Sequence, residues 1–207
     1  MQDADGNEHI ADPSARYEKY YHSDGVAPKM MVAWDAIAIT LIEHFRPDTV
    51  IDLGCSGGGL VKRLIAHGVA AVGVDGSKTS LEVCKDIMIH DLRIKDGIPW
   101  TPGSFDLVTC GDVAEHLEPQ YSDVICQLCA EATKPGGHVC FGAAPPGQGG
   151  LGHVNLQSHE DWRGRLVACG LEYCVLATEA FRADLRSRPA ACEAWWWQNN
   201  MQVFQKP

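Results

Sequence analysis

No uninterrupted apolar run in the chain reaches the roughly 20 residues that a helix needs to cross a bilayer. Positive charge is scarce: 17 Lys and Arg stand against 27 Asp and Glu, for a net charge of -10, and the basic residues are scattered. Nucleic acid is therefore not the expected partner, because its phosphates are held by a basic surface. No apolar leader precedes the 9 Cys, whose odd number and irregular spacing give no disulfide framework. A reducing, cytoplasmic compartment is the expectation. Internal repeats and low-complexity linkers are absent. With 207 residues, 45% of them apolar, the chain can fill one core and is short for two.

What is present alternates. After a polar arm, residues 1–27, with the aromatic knot "YEKYYHSDG" expected to act as a lid, a helix is predicted from Pro28 to Phe45. Then come strand "TVIDLG", a helix from Gly59 to His67, strand "AAVGVD", a helix from Lys78 to Lys85 and strand "IMIHD". Strand "FDLVTCG", helix "YSDVICQLCAEAT", turn "KPGG" and strand "HVCFGAA" follow. Strands interleaved with helices make parallel βαβ units, and continuous apolar strands suit a sheet covered on both faces. The fold class is α/β, doubly wound, with residues 28–207 as a single domain. The pair Cys126-x-x-Cys129 has no partner pair and reads as helix packing.

The stretch "VIDLGCSGGGL" ends a buried strand in four glycines within six residues, Gly54 to Gly59. In an open parallel sheet, ligands bind at the carboxyl ends of the strands. Glycines there let backbone approach a ligand closely before a helix N-terminus. A tight structural turn would read the same way, but Asp75 closes the next strand where a carboxylate can accept both hydroxyls of a ribose. A nucleoside cofactor is the leading reading.

The order Asp52-Leu53-Gly54-Cys55-Ser56-Gly57-Gly58 resembles motif I of the class I S-adenosylmethionine-dependent methyltransferases, with Ser56 in the place of the middle glycine. "VGVDGS", "IMIHDL", "PWTPGSFDLVTCGDVAEHLEP" and "LCAEATKPGGHVCFGAA" are similar to that family's later motifs, in order, over Thr49 to Ala144. The resemblance implies a mostly parallel, seven-stranded, Rossmann-like methyltransferase sheet with an antiparallel C-terminal hairpin, and S-adenosylmethionine as cofactor. It also implies roles: Gly54, Cys55, Ser56 and Gly58 at the methionine end, with Asp52 bracing the loop or meeting the ammonium through water. Asp75 would hold the ribose hydroxyls, Gly76 would let the adenine lie close, and Asp91 with the Leu92 amide would read its edge. Asp91 could equally cap "LRIKD". Cys110 and Gly111 would line the sulfonium side.

In "GDVAEHLEP", Asp112, Glu115 and His116 share one side if a helical turn begins at Asp112. The segment resembles the acid-x-x-Glu-His of the ubiquinone-biosynthesis O-methyltransferases and of the small-RNA terminal 2′-O-methyltransferases. There these side chains help to hold a divalent metal, and in the RNA enzymes a later His completes the site; His153 is the candidate here. Asp112, Glu115, His116 and His153 are thus candidate ligands for Mg²⁺ or Mn²⁺. With no metal, His116 is a candidate base, aided by Glu115 and His153, or the acids only cap a helix.

After the fifth strand, Ser158 opens a capped helix that Gly170 stops, and strand "EYCVLAT" is expected before a last strand "NMQVFQK". Trp195, Trp196 and Trp197 would pack under the hairpin or wall an acceptor pocket. The expected function is methylation of an oxygen of a small molecule by in-line transfer, with no membrane partner. The alternatives are 2′-O-methylation at an RNA 3′ end and a non-catalytic cofactor-binding partner subunit. A nicotinamide-dependent reductase lacks both a Tyr-x-x-x-Lys pair and a suitable glycine pattern.

Overall fold

The computed structural model describes residues 28–207; the expected arm, with Tyr17, Tyr20 and Tyr21, lies outside the described residues. Helix α1 (Pro28–Phe45) encloses Ala33, Ile37 and Leu41, which recur at helical spacing. It is followed by β1 (Thr49–Leu53), α2 (Gly59–Ala66), β2 (Ala70–Asp75), α3 (Ser80–Val83), β3 (Ile87–Ile89) and β4 (Phe105–Gly111). Next come α4 (Ser122–Ala132), β5 (Thr133–Gly142), α5 (His159–Ala168), β6 (Glu172–Tyr173), α6 (Val175–Ser187), α7 (Trp195–Asn200) and β7 (Gln202–Gln205).

The strands form one 7-stranded sheet in the order β3-β2-β1-β4-β5-β7-β6. The first five are parallel, and β7 lies antiparallel between β5 and β6. Both faces are covered, as the apolar strands required. Val50, Leu107 and Cys140 point into a layer with Leu41, Leu64 and Phe181, while Ile51, Val108 and Phe141 point into the opposite layer with Ile125 and Trp162. Cys126 and Cys129 lie in that second layer as core side chains.

Two expectations change at the C-terminal side. The strand "EYCVLAT" is only Glu172–Tyr173 long, because Val175–Ser187 is a helix. Its buried residues Thr178, Phe181 and Leu185 are spaced for a helix face, a period that overrides the β propensity of the short "CVLAT" run. The "KPGG" expected as a turn is drawn into β5, with a register shift against β4 between Phe105 and Leu107. The capping box at α5 is reciprocal: Ser158 Oγ accepts the Asp161 amide and the Asp161 carboxylate accepts the Ser158 amide, each at 3.1 Å. Among the described residues no helix is long and apolar enough to cross a membrane.

Candidate functional site

β2 and β4 flank β1; the chain winds outward from β1 to β2 and β3 and then crosses back to β4, so the winding reverses between β1 and β4 and their carboxyl ends open a crevice. The glycine loop turns there. Gly54 has φ +80°, and a Cβ on it would sit 2.2 Å from Val113 Cγ2, so no other residue fits without displacing the segment after β4. The Gly54 and Cys55 amides both donate to the Val74 carbonyl, at 2.7 and 3.1 Å, and Gly58 donates to the Cys55 carbonyl at 2.9 Å. The Ser56 amide donates to Asp75 Oδ2 and the Ser77 amide to Asp75 Oδ1, both at 2.8 Å. Asp75, buried at the end of β2, therefore braces the loop, and each of its oxygens keeps a further lone pair.

Ser56 holds φ +49°, a left-handed conformation that costs a side-chain-bearing residue about 1 kcal/mol or more. This is the physical reason for a glycine in the middle of the motif. Ser56→Gly is expected to leave the loop intact and to change stability by less than about 1 kcal/mol, glycine's extra chain entropy offsetting the relieved strain. Chemical denaturation of the two proteins checks it; a large loss would mean that the Ser56 side chain holds the loop.

The remaining cofactor-side candidates fall around this loop. Asp52 is buried, accepts from Thr109 Oγ1 at 2.7 Å, and has its pKa pushed up to about 7, chiefly by burial, against the Thr109 bond and with a further push from Asp75. Asp91 accepts the Arg93 amide at 3.0 Å, in keeping with its reading as a cap, and Arg93 also spans both its oxygens through Nε and Nη2, at 2.8 to 3.2 Å, and holds it below its ordinary range. Arg93 also lies 5.8 Å from the Tyr121 ring centroid. Leu92 is a core side chain, and a Cβ on Gly76 would touch only the His90 carbonyl, at 3.8 Å, so backbone is open to a ligand there. Gly111 ends β4 beside Trp197. Cys110 belongs to the core rather than to the cleft, and its thiol pKa is raised by a hydrogen bond with Cys129 and by burial; burial likewise raises that of Cys55.

The Asp112–His116 segment is not the α-helical turn that its spacing suggested. Asp112 has φ +56°, its amide bonded to the Gly142 carbonyl at 3.0 Å, and a single 3-10 turn, Ala114–His116, follows. Glu115 is fully buried; its Oε1 accepts the Ala144 amide at 2.9 Å, and its Oε2 meets no hydrogen-bond donor. The Asp112 carboxyl lies within hydrogen-bonding range of Glu115 and of the Trp196 indole, and burial with the Glu115 charge raises its pKa well above the carboxylate range.

The loop after β5 folds back on this segment. The Val154 and Asn155 amides both donate to the Glu115 carbonyl, at 2.9 and 3.1 Å, and the buried Asn155 donates Nδ2 to the Ala114 carbonyl and Ser122 Oγ. The His153 ring packs on Gly150, where a Cβ would lie 2.2 Å away, and its centroid is 4.9 Å from that of His116. Nδ1 of His116 faces the Gly152 carbonyl at 3.2 Å and Nδ1 of His153 the Gln148 carbonyl at 3.3 Å. One ligand atom from each of Glu115, His116 and His153 lies within 4.8 Å of the others. Asp112 stands outside that group, held instead between Glu115 and Trp196, so the four-ligand expectation shrinks to three. Burial pulls the His116 pKa down, more than the nearby Glu115 restores, which keeps the ring neutral at pH 7. Reading the chain alone missed Arg93 and Asn155, whose roles depend on loop partners that carry no spacing signal.

Residues 51–141 match a family described as methyltransferase domain. A ubiquinone biosynthesis O-methyltransferase from Vibrio parahaemolyticus is 34% identical over 103 residues, 44% of this chain and 42% of that protein. The chain thus spans about two fifths of the length of the curated relatives it matches. Among solved structures, a SAM-dependent methyltransferase from Archaeoglobus fulgidus is similar at a TM-score of 0.60 and 18% identity, over 78% of each chain. A TehB-like SAM-dependent methyltransferase from Corynebacterium glutamicum gives a TM-score of 0.60 at 16% identity, over 94% of this chain and 96% of the other. Residues 51–141 are thus similar to a methyltransferase domain, and the chain shares the fold of these solved SAM-dependent methyltransferases.

Proposed function

We propose that the protein is an S-adenosylmethionine-dependent methyltransferase that methylates an oxygen of a small molecule by in-line displacement. The observation that carries this reading is one crevice with two differently equipped ends. At one, Asp75 and the glycine loop form a cradle; at the other, Glu115, His116 and His153 converge. When bound, S-adenosylmethionine supplies a methyl group on a cationic sulfur.

The chain's own residues supply the rest. Asp75 has lone pairs left for two ribose hydroxyls, and backbone beside Gly76 is open for an adenine. The amides of Gly54, Cys55 and Ser56 are spent inside the protein, so carbonyl oxygens are what the loop offers, which suits an ammonium group. Neutral His116 can take the proton of an attacking hydroxyl. The acidic crevice disfavours an RNA end. All nine cysteines are free, in keeping with action in a reducing cytoplasm, where residues 28–207 would work as one domain with the arm as its lid.

A divalent cation is the second reading of the His116 end, favoured by a buried Glu115 oxygen without a donor and by two imidazoles whose Nδ1 atoms are each fixed by a carbonyl. Mg²⁺ or Mn²⁺ there would lower the pKa of a bound hydroxyl. An assay with tritiated methyl donor and a panel of hydroxylated acceptors separates the two. If chelator abolishes turnover and the ion restores it, the cation is required. If chelator has no effect and His116→Ala lowers turnover by roughly 100-fold, His116 is the base. No transfer to any oxygen acceptor, with cofactor bound, would overturn the O-methylation reading.

A further inference from the structure

His159, Arg163 and Arg182 gather at the cleft end of β7, with the Glu179 charge acting on Arg182 from its own helix but forming no ion pair with it. Arg163, near the start of α5, donates Nε to Gln202 Oε1 at 3.2 Å and places its guanidinium 4.0 Å from the Tyr173 ring centroid. Gln202 donates Nε2 to the His159 carbonyl at 3.1 Å. From α6, Arg182 donates Nε to the Met201 carbonyl at 2.5 Å. Its Nη2 is buried with no hydrogen-bond partner, and so is Nε2 of His159. Each group feels the others: after burial, the charge of Arg182 and then that of Arg163 help to lower the His159 pKa, while burial lowers that of Arg182, Tyr173 and Glu179 oppose the shift, and Arg186 and then Arg163 add to it.

This grouping is unusual in a chain of net charge -10. Arg93, Arg165 and Arg188 each meet a carboxylate, whereas among the described residues Arg163 and Arg182, like Arg63 and Arg186, enter no ion pair. A buried guanidinium nitrogen without an acceptor is costly, and Arg182 Nη2 calls for one. The place is continuous with the crevice. Gln202 pairs with Phe141 beside the carboxyl end of β5. The buried Asn200 lies within hydrogen-bonding range of the His159 ring and donates Nδ2 to Gln148 Oε1 at 3.1 Å, while the Gln148 carbonyl faces His153 Nδ1. Elsewhere in the crevice the acids Asp75 and Glu115 disfavour an anion, so among the described residues this basic group is the favourable place for one.

We propose that His159, Arg163 and Arg182 bind a carboxylate or phosphate group of the methyl acceptor and so hold its nucleophilic oxygen toward His116. The acceptor class is then a hydroxylated small molecule bearing an anionic group. This rests on the methyl-transfer reading above, and the test keeps the two apart.

Inorganic phosphate is titrated by calorimetry into the full chain saturated with S-adenosylhomocysteine, and into Arg163→Gln and Arg182→Met. Phosphate is expected to bind the wild type and to bind each variant about tenfold more weakly or worse, with S-adenosylhomocysteine affinity unchanged within about twofold. Arg163→Gln carries the test alone if Arg182→Met does not fold. In transfer assays, hydroxy-carboxylates should outperform their amides through KM, phosphate should compete with them, and Arg163→Gln should reduce that preference. Equal phosphate binding by all three proteins, or none by the wild type, overturns the site. Phosphate binding through the arginines without competition assigns the site to a free anion and overturns the acceptor role. Failure of S-adenosylhomocysteine to bind sinks the methyltransferase reading instead, while the phosphate titrations still report on the arginines.

Discussion

Asp75→Ala should weaken S-adenosylhomocysteine binding by roughly 2 to 4 kcal/mol, the value of two charge-assisted hydrogen bonds to ribose hydroxyls lost together. The same carboxylate accepts the Ser56 and Ser77 amides, so the alanine variant also releases the loop from the end of β2. Part of its loss will therefore be loop order rather than ribose contact. Asp75→Asn separates the contributions, because its carbonyl still accepts one amide while its NH₂ opposes the other. Calorimetry on all three proteins should rank them wild type, Asn, Ala. Unchanged affinity in the alanine variant would remove Asp75 from the cofactor site and with it the main support for a nucleoside there.

The second large effect is on stability and depends on pH. Folding raises the Asp52 pKa from 3.8 to about 7. Between those values the folded chain holds a proton that the unfolded chain has released, so this group's contribution to stability falls as pH rises through that window. Above pH 7 an ionised Asp52 sits buried near Asp75 with Thr109 as its hydrogen-bond donor, and it burdens the fold by an amount on the order of 2 to 4 kcal/mol. Asp52→Asn keeps an acceptor for Thr109 and has no charge to bury. It should be more stable than the wild type at pH 8 by about that amount, and close to it near pH 4. Urea unfolding at the two pH values measures the difference. A variant less stable at pH 8 would mean that the carboxylate has support within the fold beyond Thr109. An acid kept at such a cost fits a role in binding, where stability is given up for function.

The sheet was readable because its signals are local and redundant. "TVIDL", "AAVGVD" and "FDLVTCG" are apolar runs bounded by turn residues, and each is a parallel strand where expected. Helix α1 carries an unbroken helical period and spans the expected residues. The failure at "EYCVLAT" has the opposite cause: a short β-branched stretch looks like a strand until Thr178, Phe181 and Leu185 are seen to face one core. At the site, the glycine loop announced itself by composition, and the meeting of Glu115, His116 and His153 followed from strand order. The positive φ of Asp112, which turns its carboxyl toward Trp196, is set by the backbone bond to Gly142 and leaves no trace in spacing. The hold of Arg93 on Asp91 and the basic group around Gln202 are likewise products of side chains meeting across loops.

A crystal structure of the full chain grown with S-adenosylhomocysteine tests the central claim most directly. The account predicts the ribose hydroxyls on the Asp75 carboxylate, the amino-acid end against the loop of Gly54 to Ser56, and the sulfur facing the crevice that holds His116 and His153. A ligand bound elsewhere, or one in the crevice with its ribose turned away from Asp75, would contradict it.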